Sequence, residues 1–361
     1  MAIFFFILGL EIKREILEGE LSNIKVAILP ILAAVGGMIF PALIYLSINY
    51  GTPGAGGWGI PMATDIAFAI SALVLLGKRV PSSLVTFLVA LAIVDDLGAV
   101  LVIAIFYTDT INIMALGLSG LMLFTMISFN RFGIHMILPY FIVGLFMWFF
   151  MLESGVHATI AGVIAALTIP SKPKKTPLSF ADDTKALVDQ YKKYPVTNDY
   201  IMHEKQKALL SKIKSKISKV ETPAARLEHD LHLPVALVII PLFALANAGI
   251  AIDFDSISIT IMEPISLGII AGLILGKVIG IFGVSWLAIK LKIAKLPENS
   301  KMSQIFGVSF LGGIGFTMSI FVADLAFISN PEFIFQAKVG VLCASLLAGL
   351  FGYFWLKVVS K

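Results

Sequence analysis

Asp95 and Asp96 are adjacent acids in the middle of an otherwise uncharged apolar run, residues 84–107, and its 24 residues suffice to cross a bilayer as a helix. A carboxylate at mid-membrane costs several kcal/mol, and two neighbours also repel each other. Such a pair persists only beside a cation, a proton, a basic partner or a water-filled cavity. Oxygen ligands suit a small hard cation, and the same oxygens can hold protons. Cation and proton would then compete for one site. If that site opens alternately to either side of a membrane, the competition by itself yields exchange.

Two other places carry charge at comparable depth. Lys277 lies near the middle of the apolar run 265–288, where it cannot easily reach either surface. Gly268, Gly272, Gly276 and Gly280 recur every fourth residue along that run, a smooth face for close helix packing. Close approach would bring Lys277 to a carboxylate on a neighbouring helix, as a static ion pair or as a lysine whose charge follows the state of its partner. Thr64-Asp65 sits halfway through a run interrupted by Gly59 and Pro61, and a second run carries Gly312, Gly313 and Gly315 at similar depth. Proline removes a backbone donor and restricts the residue before it. Both runs therefore read as discontinuous helices, whose unwound backbone must be covered by protein or line a cavity. Asp65 is placed to cap the second half of the first one.

The elements that must hold these groups are membrane spans. Hydrophobic residues make up 58% of the 361 and charged residues 14%, against roughly 25% charged in soluble domains. Eleven segments are expected, at about 1–12, 26–48, 57–76, 82–107, 112–129, 134–152, 155–170, 231–250, 265–288, 304–327 and 334–358. Their connections alternate. One set carries Lys13, Arg14, Lys25, Lys78, Arg79, Arg131, a long basic loop over 171–230 and Lys290 to Lys301; the other has no Lys or Arg. The positive-inside rule puts the basic set and the C-terminus in the cytoplasm. Trp58, Trp148, Trp286 and Trp355 all fall near segment ends, as an interfacial belt requires.

On this topology the two broken segments run in opposite directions, which suggests an inverted repeat with an ion site at the midplane. The expected fold is an all-α polytopic membrane protein, one transmembrane domain over residues 1–361. The first segment has only about ten apolar residues before its charges, short of the roughly 20 of a span. The expectation is therefore that the start of this helix and one helix before it are missing from the N-terminus. In the long loop, 203–220 is amphipathic, with Leu210, Ile213, Ile217 and Val220 on one face among lysines. It reads equally as a membrane-surface helix or a solvated basic linker.

Several chemistries are excluded or weak. A single cysteine, Cys343, rules out a disulfide framework and a cysteine metal site. No GxxxxGK[ST] loop is present, so transport is expected to be driven by an ion gradient; no cofactor is expected besides the transported ions. The charge of +4 comes from basic loops and does not point to nucleic acid. An intramembrane aspartyl protease would need two facing carboxylates and a GxGD motif, whereas these two acids are consecutive and about 100° apart on one helix. A symporter for an organic solute would need a larger site with aromatic or anion-binding groups. His157 reads as structural, and Asp324 and Glu263 as solvated outer-end acids. By spacing alone, Glu11, Arg14, Glu15, Glu228, His229 and His232 are ordinary mixed charge at cytoplasmic ends.

The stretches GLEIKRE, FPALIYL, MATDIAFAI, FLVALAIVDDLGAVLVIAIFYT, SGVHATIAGV, RLEHDLH, PLFALANAG, GIIAGLILGK and GGIGFTMSIF closely resemble NhaA-type sodium/proton antiporters over essentially the whole chain. The resemblance implies export of sodium or lithium against a larger number of entering protons, hence electrogenic exchange, in a bacterial inner membrane. It implies that Asp96 is the main cation ligand, Asp95 its partner in ion and proton exchange, and Lys277 the lysine paired with Asp95. Thr64 and Asp65 match the crossing of the broken helices. Glu11, Arg14, Glu15, Glu228, His229 and His232 match a cytoplasmic cluster associated with pH control. The family also carries an N-terminal hairpin that forms a homodimer; that region is absent from this sequence. The long loop and Asp324 depart from the family pattern.

Overall fold

The computed structural model of the chain describes residues 1–108, 111–173, 177–192, 204–247, 249 and 254–360. Among them all regular structure is helical. From the N-terminus come α1 (Ala2–Leu17), α2 (Ile24–Asn49), a 3₁₀ arm (Pro53–Met62), α3 (Ile66–Val74), α4 (Ser82–Phe106), α5 (Ile113–Arg131), α6 (Ile137–Glu153) and α7 (Thr159–Thr168). Then follow α8 (Pro177–Lys192), α9 (Glu204–Val220), α10 (Pro223–Pro234), a π-helical turn (Val235–Ile239) and α11 (Ile240–Asn247). After α12 (Phe254–Ile261), α13 (Pro264–Ala271) continues through two π-helical stretches, Gly272–Gly276 and Val278–Gly283, into α14 (Val284–Lys290). The chain ends in α15 (Met302–Leu311), α16 (Phe316–Ala326) and α17 (Pro331–Val359).

Six helices are long and apolar enough to cross a membrane: α2, α4, α5, Pro223–Asn247, Pro264–Lys290 and α17. Two more spans are bent pairs, the 3₁₀ arm with α3 at 41° and α15 with α16 at 48°. The two interruptions expected at Pro61 and at the glycine run are thus real breaks. Each of the eleven expected segments contains helix, with corrections at the ends. The third begins at Pro53 rather than 57, because the glycines there wind a tight 3₁₀ arm. The eighth begins at Pro223 rather than 231, where Thr222 caps it by accepting from the Ala225 amide. The stretch expected as a loop over 171–230 is therefore largely helical, holding α8, α9 and the start of α10. α7 has 10 residues, too few to span alone.

The chain packs as two compact units. The first comprises Met1–Leu10 and Ile111–Ala236. Its core joins Leu10, Met126, Tyr140, Met147 and Ala166. Glycines let α1 and α7 touch: a Cβ on Gly162 would lie 2.4 Å from the Ala2 carbonyl oxygen, and one on Gly9 2.7 Å from Ala166 Cβ. In the same unit Lys216 of α9 pairs with Asp183 of α8 at 2.9 Å, and Leu209 is buried while Leu210 and Ile217 stay exposed. Of the amphipathic stretch, His203 lies outside the described residues.

The second unit comprises Glu11–Thr110 and Leu237–Lys361 and holds both broken helices. Large apolar side chains such as Ile105, Leu346 and Phe354 point outward although others such as Phe87, Leu88 and Leu91 fill the core, and polar Thr64, Asp95 and Lys277 are buried, the arrangement of a body solvated by lipid. The glycine stripe of Pro264–Lys290 lies against α2: a Cβ on Gly280 would sit 2.2 Å from the Gly36 oxygen, and one on Gly276 2.6 Å from Pro41 Cα. In a regular α-helix, positions twelve residues apart differ by about 120°. A π-turn absorbs one extra residue, about 100° of winding. The Gly272–Gly276 stretch thereby returns Gly268 and Gly280 to one face, and Lys277 follows directly after it.

Candidate ion-binding site

The breaks of the two bent spans cross. The Asp65 amide donates to the Ile314 carbonyl at 2.6 Å, and Phe68 meets Phe316 edge-to-face with centroids 5.0 Å apart. Four half-helix ends converge, two of each polarity. Asp65 serves both N-termini: its Oδ1 accepts from the Phe68 amide at 3.3 Å in α3, and its Oδ2 accepts from the Thr317 amide at 3.1 Å in α16, with the Thr317 hydroxyl donating too. One carboxylate thus offsets two positive dipole ends. Ser345 of α17 completes the second cap, accepting at Oγ from the amides of Gly315 (3.2 Å) and Phe316 (3.1 Å).

The C-terminal end of the 3₁₀ arm is met by the opposite charge. Lys277, wholly buried, donates to the Met62 carbonyl at the end of the 3₁₀ arm, to Thr64 Oγ1 at 2.9 Å and to Asp95 Oδ2 at 2.5 Å. An ammonium has three protons, and all three are used. The Thr64 hydroxyl accepts from Lys277 and lies 2.7 Å from Asp95 Oδ2 and 2.8 Å from the Gly312 carbonyl oxygen. It has one proton for those two acceptors. Whichever oxygen it leaves is one contact poorer, so the state of Asp95 is tied to the second break.

Asp96, next along α4, is also wholly buried, and neither of its oxygens has a hydrogen-bond partner; nor does Asp95 Oδ1. Three orphan carboxylate oxygens in the interior are a large uncompensated cost. Carboxylate oxygens of this kind suit a small hard cation or, alternatively, protons. Asp95 Oδ2, by contrast, is bound to Lys277.

The structure therefore brings Thr64, Asp65, Asp95, Asp96 and Lys277 together. Glu11, Arg14 and Glu15 fall in the second unit, where Arg14 Nη2 lies 3.4 Å from Glu15 Oε1 and Glu15 Oε2 accepts from the Glu20 amide at 3.1 Å. Glu228, His229 and His232 fall on α10 in the first, Glu228 buried and both histidines exposed. Asp324, expected to be solvated, instead pairs with Lys338 of α17 at 3.4 Å and is only partly exposed. Sequence reasoning missed Thr317, Ser345 and Lys338. The hydroxyl after the glycine run was an available signal for Thr317; for Ser345, an ordinary serine in an apolar helix, there was none.

Residues 1–356 match the family model described as Na+/H+ antiporter 1. The chain is 67% identical to the Na(+)/H(+) antiporter NhaA of Sulfurimonas denitrificans, over 100% of this chain and 81% of that protein. It is 51% identical to the Na(+)/H(+) antiporter NhaA 1 of Saccharophagus degradans, over 99% of this chain and 77% of the other. With the NhaA protein of Dichelobacter nodosus the identity is 45%, over 100% and 78%. The chain belongs to the Na+/H+ antiporter 1 family.

Proposed function

We propose that this multi-pass membrane protein exchanges sodium, or lithium, for protons at the Asp95–Asp96 pair, by alternating access and without enzymatic chemistry. The observation that carries the reading is the set of three buried, unpartnered oxygens, Asp96 Oδ1 and Oδ2 and Asp95 Oδ1. Asp96 is the principal cation ligand because both of its oxygens are available. Asp95 divides its carboxylate: Oδ1 faces the cargo and Oδ2 holds Lys277. A cation drawing on Asp95 weakens its hold on Lys277, and protons arriving at the carboxylates expel the cation. Asp65 is not a ligand in this scheme; it balances the half-helix ends so that the crossing can exist without the cargo.

Lys277 and both aspartates change charge or partner in each cycle, which supports an electrogenic exchange of more protons than cations. Glu11, Arg14, Glu15, Glu228, His229 and His232 are proposed as the pH-responsive groups, by the family resemblance of their positions; both histidines are exposed. The family's setting supports a bacterial inner membrane with the C-terminus in the cytoplasm, and a homodimer only where the N-terminal hairpin accompanies this chain. The decisive experiment is sodium-driven proton movement in proteoliposomes. Wild-type protein should acidify or alkalinise the lumen on addition of a sodium gradient, and Asp96→Asn should abolish the response. Retained exchange in that variant would sink the assignment.

A further inference from the structure

Away from the crossing, the second unit holds a cavity of about 790 Å³ at one end of α2 and α4, lined also by the segment 292–298. Its floor is apolar, formed by Ile28, Leu29, Phe87 and Leu296. Lys25, Lys292 and Lys295 line it as well, with Glu20 and Glu298. All three lysines are exposed at the cavity's mouth, and among the described residues none of their ammonium groups has an ion-pair partner, although two carboxylates share the cavity. The lining thus carries one net positive charge.

The segment 292–298 is held in a costly shape. Lys292 has a φ of 60°, left-handed backbone that a lysine disfavours, and Asn299, just past the segment, has a φ of 55°, which asparagine tolerates. The Ser83 hydroxyl of α4 donates to the Glu298 carbonyl and ties the segment down. Depth is set by tryptophans. Trp286, under the Lys290 ammonium at 4.6 Å, lies just before the segment, and Trp355 donates to the Ser303 carbonyl at 2.8 Å just after it. Tryptophan favours the headgroup level of a bilayer. Exposed Ile24 and Val26 continue the apolar floor outward to the lipid-facing side.

We infer that this cavity binds the phosphodiester headgroup of a membrane phospholipid, with preference for a singly anionic one, its acyl chains leaving over Ile24 and Val26. A phosphate oxygen satisfies unpaired ammonium groups at headgroup depth, and an apolar floor suits a glycerol backbone better than a soluble anion. The net charge favours phosphatidylglycerol over a zwitterion.

The test uses the full chain purified in detergent, with phosphatidylglycerol, phosphatidylcholine and inorganic phosphate as probes, read by native mass spectrometry and by melting temperature. Ligand held by the folded state raises that temperature. Wild type should retain phosphatidylglycerol in preference to phosphatidylcholine and gain stability from it. The triple variant Lys25→Gln, Lys292→Gln, Lys295→Gln should bind it about tenfold or more weakly. Leu296→Trp fills the floor, keeps every lysine, and should also lose the lipid, which covers the case in which the triple variant does not fold. Equal lipid retention by wild type and Leu296→Trp, or equal stabilisation by inorganic phosphate, would overturn the proposal.

Discussion

Lys277 spends all three of its protons on Met62, Thr64 and Asp95, so its removal strands three acceptors, one of them charged. Leaving one partner of a buried ion pair alone costs about 3–5 kcal/mol. Lys277→Ala should therefore lower the melting temperature markedly in detergent. The double variant Lys277→Met with Asp95→Asn removes both charges and should recover much of that loss while exchange stays absent. A double variant as unstable as Lys277→Ala would show that the charge is not the cause. Thr64→Val tests the shared hydroxyl. It keeps the shape and deletes the contacts to Lys277, Asp95 and Gly312. The lost hydrogen bonds, about 1–3 kcal/mol where a buried group is left unpaired, should appear as a raised half-saturating sodium concentration in the proteoliposome assay. An unchanged value would remove Thr64 from the site.

At the scale of elements, stability rests on how closely backbones approach. Gly280 and Gly36 are in mutual contact, and a side chain on either would meet main chain rather than a flexible tip. Gly280→Leu should therefore prevent α2 from seating against Lys277's helix, with loss of folded protein measured by monodisperse yield. The caps of α16 offer a finer probe. Its leading amides are divided between Asp65 and Ser345. Ser345→Ala leaves the buried Gly315 N–H and the partly buried Phe316 N–H without an acceptor, at about 1–3 kcal/mol for a stranded buried donor. Ser345→Thr keeps the oxygen and should restore both stability and exchange rate. Failure of threonine to rescue, with alanine no worse, would mean that the cap is dispensable.

For the molecule as a whole, the readable part of the sequence was whatever carries an energetic penalty. Asp95, Asp96 and Lys277 stood out because charge inside an apolar run must be compensated, and the breaks stood out because Pro61 and Gly312, Gly313 and Gly315 disfavour helix. What compensates them was less visible: Ser345 and Thr317 act across 29–30 and 252 residues of sequence, and a lone hydroxyl has no periodicity. The start of the eighth span was misplaced because Glu228, His229 and Asp230 look like a loop until the Thr222 cap and Pro223 are seen to start the helix. The same charge pattern makes a prediction about sidedness. Connections rich in Lys and Arg alternate with connections that have none, and the bias orients spans through the electrostatics of insertion. Cys343 is the single cysteine, so Cys343→Ser provides a clean background for labelling. On it, Asn330→Cys, in an uncharged connection, should react with an impermeant maleimide added outside intact cells. Ser300→Cys, next to Lys301 and in a basic connection, should react only after the membrane is opened. The two positions flank the bent pair α15–α16, one at either end. If that pair is one crossing, their labelling must be opposite. Equal labelling from outside would make it a re-entrant hairpin and place both ends of the second broken helix on one face.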